Sequence, residues 1–217
     1  MNVEQARFNM IEQQIRPWDV LDGGVLSLLA LVKREDFVPL AYRALAFVDA
    51  EVPLPEGQCM LAPRVEARLL QEMQVHRHEH VLEIGAGSGF MAALLGHRAR
   101  SVQSLELRPA LAKLAADNVK RAGLSNVTVR VGDGAKPLAS DTSFDVIVMS
   151  GSVAAVPAAL LETLQPGGRL LAIIGQEPVM TAVRITRNAD RSFSTENLFD
   201  TVAMRLDGFG EPGQFRF

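Results

Sequence analysis

Apolar positions along this chain follow two rhythms. Over the first 75 residues the rhythm is helical. Phe8, Ile11 and Ile15 recur at i, i+3 and i+7, which predicts a short helix ended by Pro17. Asp22 is placed to cap a second helix, in which Val25, Leu28, Leu29 and Val32 fall at i, i+3, i+4 and i+7. Pro53, Pro55 and Gly57 predict an irregular loop, and Ala62 to Met73 reads as helix again. From His80 to Gly175 strand-like and helical runs alternate. Val81–Ile84, Val102–Leu107, Val127–Val131, Phe144–Met149 and Arg169–Ile174 read as strands. Met91–Leu95, the run opened by Pro109 and closed by Gly123, and Leu160–Leu164 read as helices. This alternation predicts an α/β fold: a mostly parallel sheet with helices on both faces. Met180–Thr186 and Thr201–Leu206 lean toward added or antiparallel strands.

Composition narrows the class. The length of 217 residues fits a single domain, 1–217. Within it, 1–75 is a helical extension with a loop, 76–175 a binding core, and 176–217 a set of C-terminal strands. A hydrophobic share of 48% with 22% charged residues excludes wholesale disorder. A net charge of −3 argues against a chain that coats nucleic acid or an anionic membrane. One cysteine excludes an internal disulfide framework and a multi-cysteine metal site. Glu4 and Glu12 stand where a signal peptide carries basic residues. The longest charge-free apolar stretch, Val146 to Leu161, is broken by Ser150, Gly151, Ser152 and Pro157 and is too short for a membrane span. The expectation is a soluble, cytoplasmic protein without a metal.

The sharpest chemical signal is Val81-Leu82-Glu83-Ile84-Gly85-Ala86-Gly87-Ser88-Gly89-Phe90. A strand ends, glycines follow and a helix begins. Gly85, Gly87 and Gly89 let the backbone bend sharply and touch a ligand directly. Glu106 ends the second strand, where a carboxylate can accept hydrogen bonds from ribose hydroxyls. A nucleoside-bearing cofactor is therefore expected. The dinucleotide pattern G-x-G-x-x-G is missed, because Phe90 stands at its third glycine, and no Gly-Lys-Ser/Thr completes a P-loop. Glu83 would repel a pyrophosphate and suits a cation. S-adenosylmethionine, with its sulfonium and aminocarboxypropyl groups, is such a ligand. Gly132-Asp133-Gly134 follows the third strand and places Asp133 to accept from an adenine amino group.

These segments resemble a class I S-adenosylmethionine-dependent methyltransferase with a Rossmann-like sheet and, more narrowly, the protein-L-isoaspartate O-methyltransferase family. Phe47-Val48-Asp49, Leu54-Pro55, Gly57-Gln58 and Ala62-Pro63 are similar to that family's loop before the cofactor domain. Val81 to Phe90, Asn126 to Gly134 and Leu164 to Leu170 are similar to its later motifs. The resemblance implies transfer of a methyl group onto the free α-carboxylate of isoaspartyl residues in damaged proteins or peptides. It also implies a cofactor site drawn from Glu83, Gly85, Ala86, Gly87, Ser88, Gly89, Glu106, Leu107, Asp133 and Gly134. Its substrate side falls on Gln58, Cys59, Leu61, Arg64 and Asp207.

Departures from the family cluster on that substrate side. The family's Gly-Gln-Thr-Ile-Ser-Ala-Pro-His is here Gly57-Gln58-Cys59-Met60-Leu61-Ala62-Pro63-Arg64, so the substrate-contacting serine is Leu61. Near the C-terminus Val-Pro-Leu-Thr-Gly is replaced by Met204-Arg205-Leu206-Asp207-Gly208, and an inward Asp207 would repel a carboxylate. These changes keep open two alternatives: a diverged methyltransferase with another small acceptor, and a non-catalytic cofactor-binding protein. A carboxylate acceptor is ionised at neutral pH and needs no general base. No catalytic residue is therefore singled out. Arg64 reads as a surface arginine of its helix, or else as a clamp for a substrate carboxylate. Cys59 reads as a small buried side chain before a reactive thiol. Alternating His76, His78 and His80 read as a solvated turn, and Trp18 and Phe8 as core.

Overall fold

The computed structural model describes residues 2–136, 138 and 142–210. It opens with α1 (Val3–Met10), whose first turn is capped by the Asn2 side chain accepting from the Gln5 N–H. A wider turn over Ile11–Ile15 and a tighter one over Arg16–Trp18 extend it, one residue past Pro17. Ile11 and Ile15 are buried as the pattern requires, but Phe8 is 58% exposed. Arg7 takes the inner position beside it, paired with the buried Glu35. Trp18 is half-buried, with the Arg64 guanidinium 4.0 Å from its ring centroid. In α2 (Gly23–Leu31) Asp22 Oδ1 accepts from the Val25 N–H at 2.7 Å, the predicted cap.

The proline-rich loop is held by a two-residue ladder in which β1 (Val52–Pro53) runs antiparallel to β2 (Cys59–Met60). Pro63 then opens α3 (Pro63–Met73) at a first-turn position, where its missing N–H costs nothing.

Strand and helix alternate from there: β3 (His80–Ile84), α4 (Phe90–Arg98), β4 (Ser101–Glu106), α5 (Pro109–Arg121) and β5 (Val127–Val131). β6 (Phe144–Val153), α6 (Ala158–Leu161), β7 (Leu164–Gln176), β8 (Val179–Arg187) and β9 (Phe193–Thr201) follow. The seven-stranded sheet has the order β5-β4-β3-β6-β7-β8-β9. β3 to β7 are mutually parallel, and β8 and β9 add an antiparallel edge. The five expected strands and the added strand over 180–186 are all present.

The expected strand over 201–206 is not. Thr201 closes β9, and beyond it, among the described residues, only Arg205 makes a bridge, to Ser152. The residues of β9 are mostly exposed, so this edge strand lacks the apolar alternation that marks a half-buried one.

Side-chain alternation along β3 divides the core. Val81 packs with α1–α4 on one face, while Leu82 and Ile84 pack with α6, Leu206 and Phe209 on the other. Glu83 shares the Val81 face. Order reverses between β3, β4 on one side and β6 on the other, and the crevice at the carboxyl ends of these strands is where open α/β sheets bind ligands.

Candidate functional site

The glycine loop sits in that crevice. Gly85, Gly87 and Gly89 have φ of 90°, 52° and 82°, a left-handed backbone that other residues adopt at a cost. At Gly89 a Cβ would also lie 2.9 Å from the Ala115 carbonyl oxygen of α5, so only glycine lets α4 and α5 approach. The Gly85 N–H is anchored on the Leu105 carbonyl at 2.8 Å. Glu106 accepts from the Gly87 N–H at 2.9 Å and from the Arg108 N–H at 3.0 Å. A carboxylate accepts about four hydrogen bonds, so capacity remains for a diol.

These groups wall a cleft at the carboxyl ends of the strands. Gly85, Gly87, Glu106, Leu107 and Gly134 of the expected cofactor set line it. Ala86 and Ser88, between the glycines, are buried; the Ser88 carbonyl accepts from Asn118 Nδ2 at 2.9 Å. Asp133 lies beside the cavity, with Oδ1 accepting from the Ala135 N–H at 3.0 Å and Oδ2 at 3.4 Å from Lys136 Nζ. A bare, left-handed loop opposite a carboxylate fits the nucleoside and the amino-acid tail of S-adenosylmethionine. The C-terminal segment closes over it. Leu206 reaches within 2.8 Å of where a Gly85 Cβ would stand, and Phe209 forms part of the wall. The Asp207 carboxylate is paired with Arg108, which also lies 3.5 Å from Glu56, so the added acid is neutralised at the cavity wall.

Glu83 lies beneath the loop, fully buried. Register explains its partners. Glu83 stands opposite Ser104 of β4 and Val148 of β6, and Ser150 is two residues further along the same face. Ser104 Oγ donates to Glu83 Oε2 at 2.6 Å and Ser150 Oγ to Oε1 at 3.0 Å. Burial pushes the Glu83 carboxyl up to about 8, the two hydroxyls pulling against it.

On the substrate side Gln58, Cys59 and Asp207 line the cavity, whereas Leu61 and Arg64 do not. Leu61 is 4% exposed and belongs to the main core. Arg64 is turned to Asp49 at 2.7 Å and to Trp18. Burial, and then Glu51, push the Cys59 thiol up to about 12, which suits a packing residue and not a thiolate nucleophile. Leu61→Ser is expected to lower stability by about 3 kcal/mol, through lost packing and a buried hydroxyl. Urea unfolding checks this; an unchanged midpoint would show that the side chain is not part of the core.

Three partners of the site escape the sequence. Ser104 and Ser150 become visible only once strand register is known. Arg34, 1% exposed, pairs with Glu66, donates to the Leu61 carbonyl at 2.8 Å and sits 5.1 Å from the Phe90 ring centroid. It thereby ties the substrate loop to the first residue of α4. His76 and His78 have ring centroids 5.8 Å apart, while His80 Nδ1 lies 2.6 Å from Ser101 Oγ. Among the described residues no group of three or more His, Cys, Asp or Glu side chains is placed to hold a metal, and no helix is long and apolar enough to cross a membrane.

Comparison with known proteins gives a consistent result. The model of the protein-L-isoaspartate(D-aspartate) O-methyltransferase family matches residues 5–206. A protein-L-isoaspartate O-methyltransferase of Roseiflexus castenholzii is 37% identical over 208 residues, covering 96% of this chain and 94% of the relative. That of Koribacter versatilis is 36% identical over 185 residues, covering 85% and 83%. Among solved structures, a Plasmodium falciparum protein described as an enzyme of this kind, in complex with S-adenosyl-L-homocysteine, superposes with a TM-score of 0.76. That alignment has 19% identity and covers 93% of this chain and 98% of the other, a likeness of fold.

Proposed function

The chain belongs to the protein-L-isoaspartate(D-aspartate) O-methyltransferase family, and from that premise we propose that it moves the methyl group of S-adenosylmethionine onto the free α-carboxylate of isoaspartyl residues in proteins and peptides. The observation that carries this reading is one cavity lined both by the glycine loop with Glu106 and by Gln58, Cys59 and Asp207 from the substrate side.

When bound, the cofactor supplies an electrophilic methyl group on a sulfonium. Residues of this chain would hold it: Gly85 and Gly87 would offer a bare backbone, Glu106 would accept from the ribose hydroxyls, and Leu107 would form part of the wall. Glu106 is already oriented by two backbone N–H groups, so little reorganisation accompanies binding. The acceptor carboxylate, with a pKa of roughly 3.5–4, arrives ionised and attacks without a general base. No side chain of the cavity has to move a proton. Catalysis then rests on aligning carboxylate, methyl carbon and sulfur, and such positioning supplies up to about 7–11 kcal/mol in well-oriented reactions. The Arg108–Asp207 pair is a positioning contact, closing the C-terminal segment on the cavity.

Repair provides the test. A peptide aged to a known isoaspartyl fraction should lose isoaspartyl content when incubated with the protein and S-adenosylmethionine, and keep it when either is omitted. Unchanged content in the complete mixture would contradict the proposal.

A further inference from the structure

Two segments rest on the glycine loop. From the C-terminal segment, Leu206 Cδ2 lies 2.8 Å from where a Gly85 Cβ would stand. From the proline-rich loop, Leu54 Cδ1 lies 3.2 Å from the same point on Gly87. The cleft thus has two lips, 54–58 and 204–209, and each touches a glycine of its floor. The C-terminal lip is tied to β6 through Ser152, whose N–H donates to the Met204 carbonyl at 2.8 Å and whose carbonyl accepts from the Leu206 N–H at 2.9 Å.

One side chain joins the lips. The guanidinium of Arg108, just before α5, pairs with Asp207 of the C-terminal lip and lies 3.5 Å from the Glu56 carboxylate of the other. Among the described residues that line the cleft, Arg108 is the one cation. Neither carboxylate is what the local backbone alone would choose. Asp207 stands where the family has threonine. Glu56 has a φ of 58°, a left-handed backbone that glycine adopts at less cost. Both positions bring a negative charge to Arg108. The side chains are partly exposed, Arg108 by 23% and the two acids by 45% each. Ion pairs of that exposure are screened by salt and shift an equilibrium by no more than several-fold.

We propose that Arg108 is a charge latch that holds the two lips together and sets how fast the methyl donor enters and the demethylated product leaves. The proposal rests on the reading of the cleft as the S-adenosylmethionine site. The ligand has to reach the backbone of Gly85 and Gly87 and the Glu106 carboxylate, and the lips lie over these groups. Entry and exit both require Leu54 or Leu206 to lift from its glycine. The latch spans protein groups only, so breaking it opens both directions and the two rates rise together. A side chain that simply contacted the ligand would change release alone. Arg108 is therefore a positioning residue that acts through the lips. Its backbone N–H, which orients Glu106, is kept in any side-chain variant.

Surface plasmon resonance of the whole chain with S-adenosylhomocysteine tests this. That ligand is a neutral zwitterion near pH ~7, so salt acts on the protein's pairs more than on the ligand. For the parent, association and dissociation rates should both rise about threefold between ~0.05 M and ~0.5 M salt, with Kd constant to within about twofold. Asp207→Thr and Arg108→Gln should each raise both rates about three- to fivefold at low salt and lose most of the salt response. Glu56→Gln should raise both by about twofold, through the longer contact. The double variant Arg108→Gln with Asp207→Thr should be no faster than Arg108→Gln alone, because both changes break the same bond. Salt-independent rates in the parent overturn the proposal without recourse to any variant. Variants that speed release alone, and weaken Kd by the same factor, overturn it by making Arg108 a ligand contact. Effects that multiply in the double variant overturn it as well. Failure of the parent to bind the probe at any salt overturns the cofactor reading itself, and the proposal with it.

Discussion

Arg34→Met should lower the stability of the protein by about 3–5 kcal/mol, the usual cost of stranding one member of a buried ion pair. Arg34 and Glu66 are 1% and 5% exposed, and each has the other as its counter-charge. Burial pushes the Glu66 carboxyl up and Arg34 works against it. Without the guanidinium, Glu66 must either stay ionised in a dry core or take up a proton. Methionine fills much of the volume, so the loss reports the charge and the hydrogen bond to Leu61 more than a cavity. A chain of this size loses about 2–4 °C of Tm per kcal/mol, so a fall of roughly 6–20 °C is expected. Arg34→Met with Glu66→Leu should recover more than half of it, because a buried pair replaced whole by apolar groups is often neutral. Thermal and urea unfolding of the two variants decide the matter. A single variant within about 1 kcal/mol of the parent would mean that the pair is solvated in solution.

Gly87→Val should abolish measurable binding of S-adenosylmethionine, a loss of at least about a hundredfold, and leave a folded chain. Gly87 has a φ of 52° and lines the cavity. A β-branched residue there pays about 1–2 kcal/mol or more for the left-handed backbone. Its Cβ would stand 3.2 Å from Leu54 Cδ1, a tight contact, and its methyl groups would enter the space the ligand needs. The strain also disturbs the Gly87 N–H that orients Glu106. Far-ultraviolet circular dichroism should match the parent while calorimetry shows no heat of binding. Retained affinity would mean that the loop is not the binding surface.

The parts of the site that follow from local backbone needs were legible in the sequence. Three glycines between a strand and a helix require positive φ, and all three have it. Glu106 at a strand end is oriented by the Arg108 N–H of its own turn and by the Gly87 N–H of the glycine loop. What depends on tertiary register was not legible. Ser104 and Ser150 look like ordinary small residues until β4 and β6 are laid beside β3. Arg34 and Glu66 are separated by 32 positions on different elements, and no periodicity joins them. The same limit explains Arg64. The sequence leaves it as a surface arginine of its helix or a substrate clamp, and the helix turns it toward Asp49 and Trp18. Asp207 suggested repulsion, and the chain provides Arg108 to meet it. β9 was missed because an edge strand with exposed side chains leaves no alternation to read.

The central claim, methyl transfer to an isoaspartyl carboxylate, is tested most directly by supplying methyl-labelled S-adenosylmethionine with two peptides that differ only in an isoaspartyl or a normal aspartyl linkage. Measurement of kcat/KM for each should give label on the isoaspartyl peptide as a base-labile ester and none above background on the normal one. Cofactor binding without label on the isoaspartyl peptide, or equal labelling of both, would contradict the account.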